Sequence, residues 1–212
     1  ATGAIPVGML GANPSDDILT SDMDAAKKHM EACATAPEDF NLEISWIAEV
    51  PLEERFALLM QANFAQLGVK SEIKKMPWAL FAEQVSKPEN TPHISQLFVN
   101  AVTGDPDTLL YGMYFSGAAG TWQSPEYLDD AEVDELLTQG RTITDEAGRA
   151  EAYKKLNARL MEIAPTIYGY DRQSVFAASD RVKVPALSDP SKAFGLDGMG
   201  FTFRLMEMQE GS

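Results

Sequence analysis

From Asn41 the chain alternates, with Leu42, Ile44, Trp46 and Ala48 on one side and Asn41, Glu43 and Ser45 on the other. A period of two predicts a strand. Pro51 suits the first position of a helix. Behind it Leu52, Phe56, Leu59, Met60 and Leu67 form an apolar stripe that stops at Gly68. Val69 to Met76 predicts a second strand and Trp78 to Val85 a short helix. Ile94 to Val99 predicts a third strand, apolar enough throughout to be central in a sheet. Upstream, Ser21-Asp22-Met23-Asp24 predicts a helix start, with Ser21 as cap and the aspartates at the positive end of the dipole; the helix runs to Ala34.

This order, α-β-α-β-α-β with short connections, predicts an α/β fold: a mixed, mainly parallel sheet with flanking helices. Two more helices are predicted at about 131–140 and 145–163. In the second, Arg149, Tyr153, Leu156, Leu160 and Ile163 share a face, Arg149 at its edge. Pro165 ends it, and Thr166 to Ala177 reads as strand. After a loop, Phe201, Phe203 and Leu205 alternate with Thr202 and Arg204, a late strand placed to pair elsewhere. Residues 1–20, broken by Gly3, Pro6, Gly8, Gly11 and Pro14, read as an irregular lead-in.

Composition narrows the function classes. The net charge of −15 argues against nucleic acid, because phosphates are held by clustered Lys and Arg. Nine of the acidic residues fall between Glu126 and Glu151, interleaved with apolar residues at helical spacing, which reads as a solvated helical face. No apolar run approaches the ~20 residues of a membrane-spanning helix. Cys33 is the single cysteine, so no internal disulfide forms. The start, Ala-Thr-Gly-Ala-Ile-Pro-Val, has neither an initiator Met nor a hydrophobic leader and is expected to come from a processed or longer chain.

Catalytic signals are sparse. No nucleophile elbow, zinc-binding His-Glu-x-x-His helix or phosphate loop is present, and the two histidines, His29 and His93, are far apart. The expectation is therefore no enzyme, no catalytic residues, no cofactor and no metal. His29 and Cys33, four apart on a helix, lack further ligands nearby; His29 reads as a polar-edge residue and Cys33 as a small buried one. A carboxylate pair of glycosidase type stays open as an alternative.

The loop Gly104-Asp105-Pro106-Asp107 follows the apolar run from Ile94 to Val102. It resembles the Gly-Asp-Pro-Asp turn of the family 5 extracellular solute-binding proteins, the dipeptide- and oligopeptide-binding receptors of ABC importers. Other stretches in the same order support the resemblance. Asp24 to Met30 is similar to that family's Asp-x-x-x-Ala-Lys-x-Leu helix, and Phe64 to Lys70 to its Leu-Gly-Val junction. Ser124-Pro125-Glu126 with Val133 to Leu137 is similar to its Asn-Pro-Glu and Asp-x-Leu-Leu segment. Arg149 to Ile167 is similar to its Arg, Tyr, Leu, Pro-x-Ile helix. About residues 20–184 are covered.

The resemblance implies one lobe of a two-lobed, periplasmic-binding-protein-like fold, in the C-terminal portion of a longer receptor. Residues 1–20 would lead in from the other lobe, 21–184 would form the α/β lobe, and 185–212 would return toward the first. It implies capture of a small solute or peptide by lobe closure and delivery to ABC importer permease subunits. The protein would be periplasmic, or extracellular and tethered in a Gram-positive cell, and at the membrane only through the permease. A ligand-sensing domain of a regulator is the other alternative.

In such receptors ligand lies near strand ends, which nominates Trp46, Glu49, Trp78, Asn100, Val102, Thr103, Gly104, Asp105 and Trp122. Trp46 also suits the core, and Asp105 also suits a turn-forming Asp-Pro. Peptide-binding members hold the peptide's amino group with an aspartate three residues before the Asp-Pro pair. Val102 stands there, so an uncharged solute such as an oligosaccharide is as well suited as a peptide.

Overall fold

The computed structural model describes residues 1–14, 20–101, 103–171, 177–185 and 206–209. Among them α1 (Met23–Glu31), β1 (Asn41–Ile47), α2 (Leu52–Gln66), β2 (Lys70–Met76), α3 (Trp78–Gln84) and β3 (Ile94–Ser95) follow in the expected order. Then come α4 (Asp107–Tyr114), α5 (Ala131–Thr142), α6 (Glu146–Ile163) and the short strands β4 (Val182–Lys183) and β5 (Glu207–Met208). The fold is α/β. Contacts group the chain into one unit of residues 19–99 with 112–131, and another of residues 1–18, 100–111 and 132–212.

The first unit is built on a parallel sheet in the order β2-β1-β3. Residues Ile44 to Ile47 of β1 are all buried, as a central strand covered on both faces requires. Ile44 and Trp46 pack with Ala57, Met60 and Phe64 of α2 on one face. Ile47 packs on the other face with Met76 and with Phe81 and Val85 of and just beyond α3. Gly68 ends α2 at φ +79°, a left-handed conformation that favours glycine, and Val69 leads into β2.

Several expectations are corrected. Asp22, not Ser21, caps α1, its Oδ1 accepting from the Ala25 amide at 2.9 Å. That helix ends at Glu31 and buries no residue, so Cys33 is exposed rather than buried. In α2 the expected stripe is rotated: Leu52 and Leu59 are exposed, and Glu53, Ala57, Met60 and Phe64 face the sheet. Ala57 is fully buried where α2 packs on Ile44 and Trp46 of β1.

The third strand stops at Ser95 instead of Val99, and among the described residues it is an edge strand rather than a central one. Leu97 turns away to pack on the cluster of Ile47, Met76, Phe81 and Val85. No strand forms over residues 166–171, and 172–176 lie outside the described residues, as do Phe201 to Leu205. β5, further along the chain, pairs antiparallel with β4, and Gln209 donates to the Arg181 carbonyl at 2.8 Å.

In the second unit α6 carries the core. Ala152, Tyr153, Leu156, Asn157 and Leu160 are buried on it, close to the expected face. The irregular start of the chain is anchored there, because the Ala4 amide donates to Asn157 Oδ1 at 2.9 Å and Ile5 is fully buried. Asp145 caps α6 through the Gly148 amide, and Ala164 closes it at φ +46° just before Pro165.

Candidate functional site

At the carboxyl end of a parallel sheet the chain must leave the ladder, and the freed loops are where ligand-contacting groups sit. The Ala48 amide still donates to the Met76 carbonyl at 2.7 Å, so the ladder continues for one residue past β1. Glu49 comes next. Its carboxylate accepts the backbone amide of Trp78 at 3.1 and 3.3 Å, tying the β1 exit to the start of α3.

Trp78 rests against the fully buried Phe81, with ring centroids 5.8 Å apart. Trp122 meets it edge-to-face at 5.3 Å with 70° between planes. Such a pair is a favourable arrangement of ring quadrupoles. Trp122 is held by a tight loop in which the Gly120 amide donates to the Ser124 carbonyl and the Ser124 amide to the Thr121 carbonyl. Tyr127 fastens that loop to the end of α3, its hydroxyl donating to the Val85 carbonyl at 2.8 Å. Trp78 and Trp122 nonetheless remain 39% and 38% exposed, two rigid aromatic surfaces open to solvent.

Trp46 is placed differently. It is 4% exposed in the core with Ala57, and the Lys75 ammonium lies 5.0 Å over its ring. Burial puts it outside the exposed aromatic pair.

The remaining nominated residues belong to the second unit and are described there. Asn100, Thr103 and Gly104 are exposed, Asp105 is half-buried, and Val102 lies outside the described residues. Both aspartates of the turn are engaged by arginines. Arg149 of α6 donates to Asp105 at 2.9 Å, while Arg141 of α5 grips both oxygens of Asp107 at 2.7 and 3.2 Å and lies over the Tyr111 ring. Asp105 Oδ1 also accepts the Asp107 amide at 3.0 Å, the local bond that shapes Asp-Pro turns.

Asp105→Ala is therefore expected to cost about 1 kcal/mol in urea unfolding, the scale of a partly exposed ion pair plus a turn bond. A variant of unchanged stability that loses solute binding would instead place this carboxylate against ligand.

Two further carboxyls were not nominated from the sequence. Glu53 is 3% exposed, and burial, partly opposed by the Ile47 amide, pushes it up to about 7. Burial likewise raises Glu126, in the loop that carries Trp122, to about 7. Glu53 sits four residues before the buried Ala57, and that helical spacing is the signal that reveals it. Among the described residues no cluster of three or more His, Cys, Asp or Glu is arranged to hold a metal. No described helix is long and apolar enough to cross a membrane.

No family model matches the chain. It is 28% identical over 159 residues to heme-binding protein A of Haemophilus influenzae, covering 72% of this chain and 28% of that protein. It is 24% identical to di/tripeptide-binding protein 4 of Pseudomonas aeruginosa, covering 79% and 31%. The fold matches that of a Pseudoalteromonas dipeptide-binding protein solved with Met-Leu, with a TM-score of 0.69 at 24% identity over 78% of this chain and 33% of that one. All three are binding proteins by name, and the chain spans about a third of the length of each. In its ordered motifs, its relatives and its fold, the chain is similar to the family 5 extracellular solute-binding proteins.

Proposed function

We propose that the chain is the C-terminal portion of an extracytoplasmic solute receptor that captures a small solute or peptide by lobe closure and delivers it to an ABC importer. The exposed Trp78–Trp122 pair at the carboxyl end of the β2-β1-β3 sheet is the observation that carries this reading into a site. Indoles held rigid and left open gain from stacking on a ligand without having to order first. The relatives supply the receptor class, since their names are those of periplasmic, peptide-binding or heme-binding proteins. This supports binding over the hydrolase and regulator alternatives.

Closure of two lobes follows from differential affinity: solute that touches both lobes shifts the open–closed equilibrium toward closed. A chain carrying one lobe makes only part of those contacts and is expected to bind weakly.

The test is an NMR titration of this chain with dipeptides, tripeptides and oligosaccharides, following the indole signals. Saturable shifts at Trp78 and Trp122, and a roughly tenfold weaker affinity in Trp78→Ala or Trp122→Ala, support the site. Solutes that raise the melting temperature while leaving both indoles unmoved would place the site elsewhere.

A further inference from the structure

On the β3-facing edge of β1, the amides of alternate residues Glu43, Ser45 and Ile47 point outward in sequence. The Glu43 amide, ahead of β3, donates to His93 Nδ1 at 3.1 Å. At the level of β3 itself, Ser45 and Ser95 are paired and the Gln96 amide donates to the Ser45 carbonyl. The next rung would need a carbonyl from the chain beyond Ser95. That segment has left the edge, and Glu53 Oε2 takes the Ile47 amide in its place at 2.7 Å.

A side-chain carboxyl thus completes the sheet from the first turn of α2. Its other oxygen, Oε1, is buried and has no hydrogen-bond partner among the described residues. The connection of residues 48–51 is therefore closed at one end by Glu53. In the middle of the same connection, Glu49 holds the Trp78 amide.

We propose that Glu53 is a proton-linked positioning residue: neutral, it keeps the 48–51 connection seated on β1, and ionised, it loosens that connection and with it the Glu49–Trp78 link. The physical cause is the surroundings. Glu53 is 3% exposed, and Val50 of the connection itself packs with the buried Ile47 cluster. A carboxylate with one amide bond in such a place is poorly solvated, and opening the connection admits water to it.

The charged and titratable groups around it do not compensate. Glu54 and Arg55, its neighbours on α2, are exposed, as is Glu49. Lys75 of β2 has its ammonium over Trp46, and His93 is bound to the Glu43 amide two rungs away. Burial is the leading cause of the raised Glu53 carboxyl, at about 7, and no charged side chain contributes to it.

The inference concerns the aromatic pair proposed above as the ligand surface, but its readout needs no ligand, so the two stand or fall separately. The experiment is a pH titration from 5 to 9 of this chain, following the backbone amide and indole resonances of Trp78 by NMR. The expected result is a single transition near neutral pH at Trp78 that Glu53→Gln abolishes, while His93→Asn and Glu126→Gln leave it in place. A transition that survives in Glu53→Gln, disappears in His93→Asn, or is absent from the wild type overturns the proposal. Should Glu53→Gln not fold, the Glu53 carboxyl carbon is titrated in the wild type. A midpoint shared with Trp78 supports the proposal, and separate midpoints overturn it.

Discussion

Tyr153→Ala is expected to destabilise the protein by about 3–5 kcal/mol, the range for truncating a fully buried aromatic residue. Tyr153 is fully buried on α6. Its ring is seated so closely against Gly140 of α5 that a methyl group there would lie 2.6 Å from Cζ. Gly11 of the irregular N-terminal segment approaches the base of the same residue, where an added Cβ would lie 2.4 Å from Tyr153 Cβ. The Arg149 guanidinium, which also binds Asp105, lies 5.6 Å from the ring centre.

Removing the ring thus empties the space that α6 fills against Gly140 of α5. The companion variant Gly140→Ala overfills it and should cost about 1–3 kcal/mol. Gly169→Ala, where an added Cβ meets nothing within 4 Å, is the neutral control. Urea unfolding checks all three. A Tyr153→Ala loss under about 1 kcal/mol would mean that the ring does not organise this core.

The second large effect concerns pH. The Glu53 carboxyl lies at about 7 in the folded protein and near 4.5 when unfolded. Between those values the native state holds a proton that the unfolded chain has released. Its stabilising contribution is therefore complete below about 4.5 and declines as pH rises, until it is gone above about 7. The shift corresponds to about 3 kcal/mol. Glu126 acts in the same direction.

Subtracting the Glu53→Gln stability curve from the wild-type curve isolates Glu53 from the other carboxyls, which titrate in both proteins. The expected difference falls monotonically from pH 4.5 to 7 and is flat beyond. A difference that stays flat throughout, or rises with pH, contradicts the burial argument.

Much of the architecture was legible because it depends on local period. Alternation from Asn41 marked β1, and the Leu-Gly-Val junction marked the passage from α2 to β2. Pro165 marked the end of α6. The aromatic pair was only half legible. Trp78 and Trp122 were nominated separately from strand-end and loop positions, and 43 residues separate them. Nothing in the spacing says that Tyr127 binds the Val85 carbonyl and brings the second indole against the first.

The same division explains α2. Hydrophobicity alone turns Leu52 and Leu59 inward, whereas the protein turns Glu53 and Ala57 inward. The Ile47 amide, which β3 leaves without a ladder carbonyl, donates to the Glu53 carboxyl. Ala57 fills the face against Ile44 and Trp46, and together these outweigh the preference of two leucines for the core. Those requirements exist only once β3 has ended at Ser95 and left the edge open.

By itself the sequence determined the order of elements, their ends and the class of fold, because caps, glycine and proline stops and hydrophobic period act over a few residues. Only the tertiary structure decided which tryptophans stay open, which aspartates are tied to arginines and which carboxyl is buried. Each of those outcomes depends on groups far apart in the chain competing for the same few hydrogen bonds and the same space.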